Sequence, residues 1–324
     1  MNDWIENLAK LWRPSVSSPS PPSPPSPPSP PPPPSPLPPA ENATEFLLPV
    51  HRKTIDLQEF AFIQARHVNP SWSREQLEET INRLGHWEYY FEFNDGLTTR
   101  INASFNERTM DFHRYRSALI SETIMQLLGA DAASARVVDL ACHCGLFSFD
   151  LAFRGIREAH GIEYREKNLA QAEFLKDYYK VPNVTFAQGD VYELDTCPAD
   201  VVMCLGLLYH VVRPIEVLEL CYRSAQRFAV IETICHKEPI SAYKIVGDKD
   251  VAVAIEGTRA VELQPTYRGL IDTMRQVGFK TIIEVVGECA TPIELFSEGY
   301  RRCLIGFKEE QPVCLNHIDI ERFC

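Results

Sequence analysis

The chain has no excess of positive charge. Its 32 lysines and arginines face 44 aspartates and glutamates, a formal net charge of −12 over 324 residues. A chain of that sign has no electrostatic reason to gather on nucleic acid or anionic membrane. That weighs against both as partners, although a local basic patch stays open. There is no run of about eighteen apolar residues, so no membrane span is expected. The N-terminus shows no apolar core segment with a small-residue cleavage site, and Asp3 and Glu6 are out of place in a transit peptide. No C-x-x-C pair occurs among the ten cysteines, and several lie in apolar runs, as Cys204 does in Val201-Val202-Met203-Cys204-Leu205. Buried free thiols in a reducing, cytoplasmic compartment fit this usage better than a disulfide framework. Cys142 and Cys144 flank His143, but that spacing is too short for a zinc knuckle and no second ligand pair follows. No metal site is expected.

What is present falls into five stretches. Residues 1–16 carry Trp4, Ile5, Leu8, Leu11 and Trp12 at helical spacing, a short amphipathic segment. It reads equally as a docking or membrane-surface helix and as a frayed or domain-packed end, because Lys10 and Arg13 make a poor basic face. Residues 17–40 are a Ser/Pro tract with a repeated Ser-Pro-Pro unit. Proline fixes φ and removes an amide donor, so the tract is a disordered, polyproline-like linker. It serves as a spacer, or as a ligand for a protein partner with an SH3- or WW-type groove.

Residues 41–130 form an N-terminal extension. Ser73 to Gln76 fits a capping box, Leu77, Ile81 and Leu84 follow at helical spacing, and Gly85 ends the helix. His86 to Phe93 is an aromatic, strand-like stretch, Asn94-Asp95-Gly96 a turn, and 113–129 a helix. From 131 to 310, short apolar strands alternate with amphipathic helices. Strands are expected near 137–141, 158–163, 183–187, 200–206, 228–232, 280–286 and 301–307. Helices are expected near 146–154, 165–179, 214–224 and after Pro265. This rhythm predicts an α/β fold, a doubly wound, seven-stranded, mostly parallel sheet with the last two strands as an antiparallel hairpin at its edge. Residues 311–324 are a tail.

In such a sheet ligands bind at the carboxyl ends of the strands. The first strand ends in Asp139 and turns through Ala141-Cys142-His143-Cys144-Gly145 into a helix. The second ends in Glu163, at a distance that suits a carboxylate accepting two ribose hydroxyls. The third ends in Gln188-Gly189-Asp190-Val191, where an acid can accept from an exocyclic amine and the next amide can donate to a ring nitrogen. The fourth leads from Leu205-Gly206 to Leu207-Leu208-Tyr209-His210.

Together these strand ends resemble the motif set of the class I S-adenosylmethionine-dependent methyltransferases, with their Rossmann-like fold, over about 135–308. Within that superfamily the chain looks most like the branch of tRNA wobble-uridine methyl- and carboxymethyltransferases. The strings that carry this are Leu205 to His210 with Pro214 beyond, Val230-Ile231-Glu232-Thr233, and Gln264-Pro265-Thr266 before a helix ending Val277-Gly278-Phe279. The aromatic stretch from His86 to Thr99 extends the likeness upstream. The resemblance implies S-adenosyl-L-methionine as cofactor. Asp139, Ala141, Cys142 and Gly145 would hold its methionine part, Glu163 its ribose, Asp190 and Val191 its adenine, with Leu205 and Gly206 as the floor beneath the sulfonium. Ala141 and His143 stand where glycine is usual. Ala141 costs little if its φ is negative, and His143 is tolerated only with its side chain away from the cofactor. Carboxymethyl-transferring members need a basic residue at the upstream turn. This chain has Asn94-Asp95-Gly96 there, which favours plain methyl transfer, although Tyr209 matches and Arg301 or Arg302 is a candidate source of the charge.

Methyl transfer needs alignment above all, and an oxygen nucleophile also needs a base. His210 is the first candidate and Tyr209 the second. His86, Trp87, Thr99, Arg100 and Arg301 are candidates for the acceptor wall. Three functions follow: an O- or N-methyltransferase of a small molecule or glycan, a tRNA-modifying enzyme, or a non-catalytic binding module.

Overall fold

The computed structural model describes residues 50–57, 69, 71–103, 106–247 and 261–311, all within one compact unit, Leu47–Cys324. The expected N-terminal helix, the Ser/Pro tract and the tail beyond residue 311 lie outside the described residues.

The extension begins with strand β1 (Val50–Thr54) and helix α1 (Arg74–Arg83). Ser73 caps α1: its Oγ accepts the Gln76 N–H at 3.2 Å, and the Gln76 side chain accepts the Ser73 N–H at 2.9 Å. The capping box read from the sequence is therefore formed, and Gly85 leaves the helix at φ 80°. The helix expected over 113–129 is three pieces: α2 (Glu107–Ser117), a π-helical turn (Ala118–Glu122) and α3 (Thr123–Leu128).

The alternating region follows as β2 (Arg136–Leu140), α4 (Leu146–Phe153), β3 (Glu158–Glu163), α5 (Glu166–Tyr179), β4 (Val184–Gln188), β5 (Ala199–Leu205), α6 (Pro214–Ser224) and β6 (Ala225–Ile234). Pro214 opens α6 at a position where its missing N–H costs nothing. A separate antiparallel pair, β7 (Tyr243–Gly247) and β8 (Val261–Pro265), comes next. Helix α7 (Tyr267–Val277) is capped by Thr266, whose Oγ1 accepts the Gly269 N–H at 3.0 Å. Strand β9 (Thr281–Glu288), the single-turn helix α8 (Glu294–Ser297) and β10 (Arg301–Phe307) complete it.

The main sheet has eight strands in the order β1-β9-β10-β6-β5-β2-β3-β4. The seven expected strands are all present, and β1 is the eighth. It pairs parallel with β9, Val50 opposite Glu284. The antiparallel β9–β10 pair forms as expected, but β1 takes the edge, and β10 lies inside, bonded to both β9 and β6.

Alternation along the central strands splits the core into two layers. Val137, Val201, Met203 and Val230 face one side, with Trp87, Phe91, Leu119, Ile124 and Phe149. Val138, Val202, Cys204 and Ile231 face the other, with Leu218, Leu270 and Met274 of α6 and α7. The aromatic stretch from His86 onward is therefore core on one face of the sheet. It does not form the strand expected there; only an isolated bridge joins Glu92 to Thr98.

Candidate active site

Strands β5, β2, β3 and β4 are neighbours and parallel, so their carboxyl ends open on one crevice. Asp139, Glu163, Asp190 and Gly206 all stand at that rim. Asp139 is buried and accepts the Ser148 hydroxyl at 2.9 Å. Burial pushes its carboxyl up to about 7, with the nearby charge of Glu163 adding to the rise and the Ser148 bond opposing it. Glu163 is also buried. Its two oxygens accept the backbone N–H groups of His143 and Arg165, each at 2.9 Å. Asp190 folds back to accept the Tyr192 N–H at 2.9 Å, and Val191 beside it is half-buried.

The turn between β2 and α4 is left-handed at three places: Ala141 (φ 57°), His143 (φ 56°) and Gly145 (φ 84°). Ala141 does not take the negative φ at which it would cost little. The conformation suits glycine, and each L residue in it costs roughly 1–2 kcal/mol. At Gly145 there is no alternative, since a Cβ would lie 2.5 Å from the Phe186 ring. Cys142 is buried, and its N–H donates to Ile162 O at 3.0 Å. The His143 ring accepts the Cys144 N–H on Nδ1 at 2.8 Å and stands edge-on to Tyr89, centroids 5.2 Å apart. Burial, with Arg165 and Lys167 nearby, holds this imidazole neutral, its pKa lowered to about 3.

Past β5, Leu205 is buried and Gly206 turns at φ 73°. A Cβ on Gly206 would lie 2.9 Å from Arg301 Nη2, 3.5 Å from Arg116 Nη2 and 3.7 Å from the Tyr209 hydroxyl. Both arginines are held by Glu232 at the end of β6. Arg116 donates through Nε and Nη2 at 3.0 and 2.9 Å, and Arg301 donates through the same two groups. Burial alone would raise the Glu232 carboxyl, but the two guanidiniums hold it down at about 2. The outer guanidinium edges meet phenols: Arg116 Nη1 donates to Tyr89 at 3.4 Å, and Arg301 Nη1 to Tyr209 at 3.5 Å. His113 packs on Tyr89 with centroids 4.7 Å apart. Burial first, then Arg116, Arg301 and His143, lower its pKa to about 3. His210 sits in a short 3-10 turn, its ring 4.0 Å from that of Tyr209, with β8 packed against the turn.

Of the four upstream acceptor-wall candidates, two are fully buried and two are exposed. Trp87 is fully buried and its indole N–H donates to Ile81 O at 3.0 Å. Thr99 is fully buried, its hydroxyl donating to Tyr89 O at 2.8 Å and accepting the Phe91 N–H at 3.0 Å. Arg100 is exposed and pairs with Glu107. The exposed His86 offers its backbone carbonyl to Gln171 Nε2. From the same stretch it is Tyr89 that reaches the crevice, and from α2 His113 and Arg116 do. Arg302, the alternative to Arg301, lies on the other side of β10 and donates to Glu284 at 2.6 Å. Arg116 carries no local signal in the sequence: it is one of three arginines in α2, with Arg108 and Arg114.

Residues 131–260 match a family model described as a methyltransferase domain. Among curated proteins, a tRNA U34 carboxymethyltransferase of Helicobacter pylori is 25% identical over 154 residues, 44% of this chain and 56% of that protein. One of the same name from Wolinella succinogenes is 23% identical over 158 residues, 47% of this chain and 54% of that protein. The chain thus matches just over half the length of these relatives. Among solved structures, the N-terminal domain of EvdMO1, crystallised in the presence of SAH and D-fucose, superposes with a TM-score of 0.57 at 20% identity, over 76% of this chain and all of that domain. The likeness places the chain on the Rossmann-like methyltransferase fold.

Proposed function

We propose that this chain, which carries a methyltransferase domain on the fold of the class I S-adenosylmethionine-dependent enzymes, moves a methyl group to an oxygen or nitrogen of a small-molecule or glycan acceptor. The observation that carries this reading is the convergence of Asp139, Glu163, Asp190 and Gly206 on four neighbouring strand ends. The residues fit S-adenosylmethionine. Of the roughly four acceptor sites of the Glu163 carboxylate, Oε1 takes the Arg165 N–H and the Asn168 amide, and Oε2 takes the His143 N–H. The remaining site, on Oε2, suits a ribose hydroxyl.

When bound, the cofactor supplies a methyl already activated by its positive sulfur. The protein's share is positioning. Asp139 and the turn formed by Ala141, Cys142 and Gly145 hold the amino-acid end, Asp190 and Val191 bracket the base, and Leu205 and Gly206 form the floor. His210 takes the proton from an oxygen nucleophile, with Tyr209 beside it. Calorimetry with S-adenosylmethionine is the test: saturable binding, weakened in Glu163→Ala, is expected, and absence of binding by the unmodified chain overturns the reading. A screen for methylated products then identifies the acceptor.

A second reading, carboxymethyl transfer as in the names of the curated relatives, is favoured by Arg116. With Arg301 and Tyr209 it surrounds the space above Gly206, and it supplies a positive charge that the Asn94-Asp95-Gly96 turn lacks. Tighter binding of the sulfonium cofactor bearing a carboxylate than of S-adenosylmethionine would select it.

A further inference from the structure

His143 stands in a left-handed turn where the resembled enzymes use glycine, so its backbone carries a conformational cost that glycine avoids. Three contacts hold it there. Its N–H donates to Glu163 Oε2 at 2.9 Å. Its Nδ1 accepts the Cys144 N–H at 2.8 Å, which leaves the ring proton on Nε2. Its ring meets Tyr89 edge to face, 5.2 Å between centroids and 87° between planes. Tyr89 is itself fixed from other elements: His113 lies 4.7 Å away, Arg116 Nη1 donates to its hydroxyl, and its carbonyl accepts the Thr99 hydroxyl. The first two contacts are made by His143 with the crevice and with its own neighbour. The third ties it to a residue 54 positions upstream, in the N-terminal extension.

We propose that Tyr89 is a positioning residue for the cofactor turn: its ring fixes the imidazole of His143, and through it the backbone of 141–145 and the N–H that Glu163 accepts. The inference rests on the cofactor site proposed above and adds a residue that the strand-end motifs do not contain. Removing the Tyr89 ring opens rotamers of His143 that break the Nδ1 bond, and the left-handed turn loses its brace. With glycine at 143 there is no imidazole to hold and no cost at that φ, so Tyr89 has nothing left to position.

The test uses the full chain with Tyr89→Ala, Tyr89→Phe, His143→Gly and the Tyr89→Ala/His143→Gly double variant. Two quantities are read: hydrogen exchange of the Cys144 amide without cofactor, and the affinity for S-adenosylhomocysteine. Tyr89→Ala is expected to speed Cys144 exchange by about tenfold and weaken affinity by about tenfold, while core amides of β5 keep their protection. Tyr89→Phe, which keeps the ring, stays within about twofold in both, and in the His143→Gly background Tyr89→Ala costs less than about twofold. Unchanged Cys144 exchange in Tyr89→Ala overturns the proposal. So does an equal loss of affinity with and without the imidazole. If the unmodified chain binds no S-adenosylhomocysteine, the methyl-transfer reading falls, and the exchange measurement still decides the role of Tyr89.

Discussion

Arg116 Nη2 donates to Glu232 Oε2 at 2.9 Å, a bond between the upstream extension and the end of a central strand. Glu232 is fully buried and is the shared carboxylate of two buried arginines. Removing it would leave two uncompensated guanidiniums in the core. Glu232→Ala is therefore expected to destabilise the chain by roughly 3–5 kcal/mol, measured by denaturant unfolding. A loss under about 1 kcal/mol would mean that water reaches the pair.

Glu163 offers a comparison of charge with shape. Glu163→Gln keeps the length and one acceptor oxygen, whereas Glu163→Ala removes both. Hydrogen bonds to a charged group contribute about 1.5–3 kcal/mol. Calorimetry with S-adenosylhomocysteine should show a loss of about tenfold to a hundredfold for Glu163→Ala, with Gln between Ala and the unmodified chain. Equal affinities across the three would remove Glu163 from the cofactor site.

The buried titratable groups predict opposing pH effects. His113 and His143 have folded pKa values lowered to about 3 from 6.5, so the unfolded chain binds more protons between those values. Their stability contribution is complete above 6.5 and is lost as pH falls toward 3; His51 acts in the same sense, lowered by burial. Asp139 is raised from 3.8 to about 7, so here the folded chain holds the extra proton. Its contribution is complete below 3.8 and is lost as pH rises through 7. Asp139→Asn removes the opposing slope. Between about pH 4 and 6.5 the variant should lose stability on acidification more steeply, by ~1.4 kcal/mol per pH unit. Parallel curves for the two proteins in urea titrations would show that Asp139 ionises normally in the fold.

Ala141 pays for φ 57° with a Cβ it does not need there. Ala141→Gly relieves the left-handed strain while adding freedom to the unfolded chain, a net gain of about 0.5–1 kcal/mol. A melting temperature raised by a few degrees supports this; a lowered one shows that the Ala141 methyl packs usefully.

His210→Ala separates base from wall. Loss of a general base lowers turnover by about 10²–10⁴ with cofactor affinity unchanged. Single-turnover rates with an identified acceptor, set beside S-adenosylhomocysteine affinity, distinguish the two. A change in affinity alone would make His210 a pocket residue.

The strand ends were legible in the sequence because hydrophobic alternation locates them. Once β2 to β5 are placed, Asp139, Glu163, Asp190 and Gly206 follow. Tyr89 and Arg116 were not legible, since their places depend on packing between distant segments, which no local pattern encodes. Trp87 and Thr99 misled for a related reason. An indole and a hydroxyl near a turn look like a binding wall, yet both are satisfied by backbone groups of their own extension. Strand β1 is not legible because Val50-His51-Arg52-Lys53-Thr54 has the composition of a loop. Its Lys53 is buried only by pairing with Glu122 on the π-helical turn.

The sheet order also sets a timetable for synthesis. Among the described residues β1 bonds only to β9, whose residues leave the ribosome roughly 230 positions later, an interval of about 10–50 s at 5–20 residues per second. Arg116 waits about 185 positions for Arg301, on β10. A nascent chain can therefore assemble β2 to β6 while its first strand has no edge to join and the arginine pair is half made. Until β10 slides between β6 and β9, that intermediate exposes the open sides of two strands, and a chaperone that shields strand edges is the helper such a chain would need.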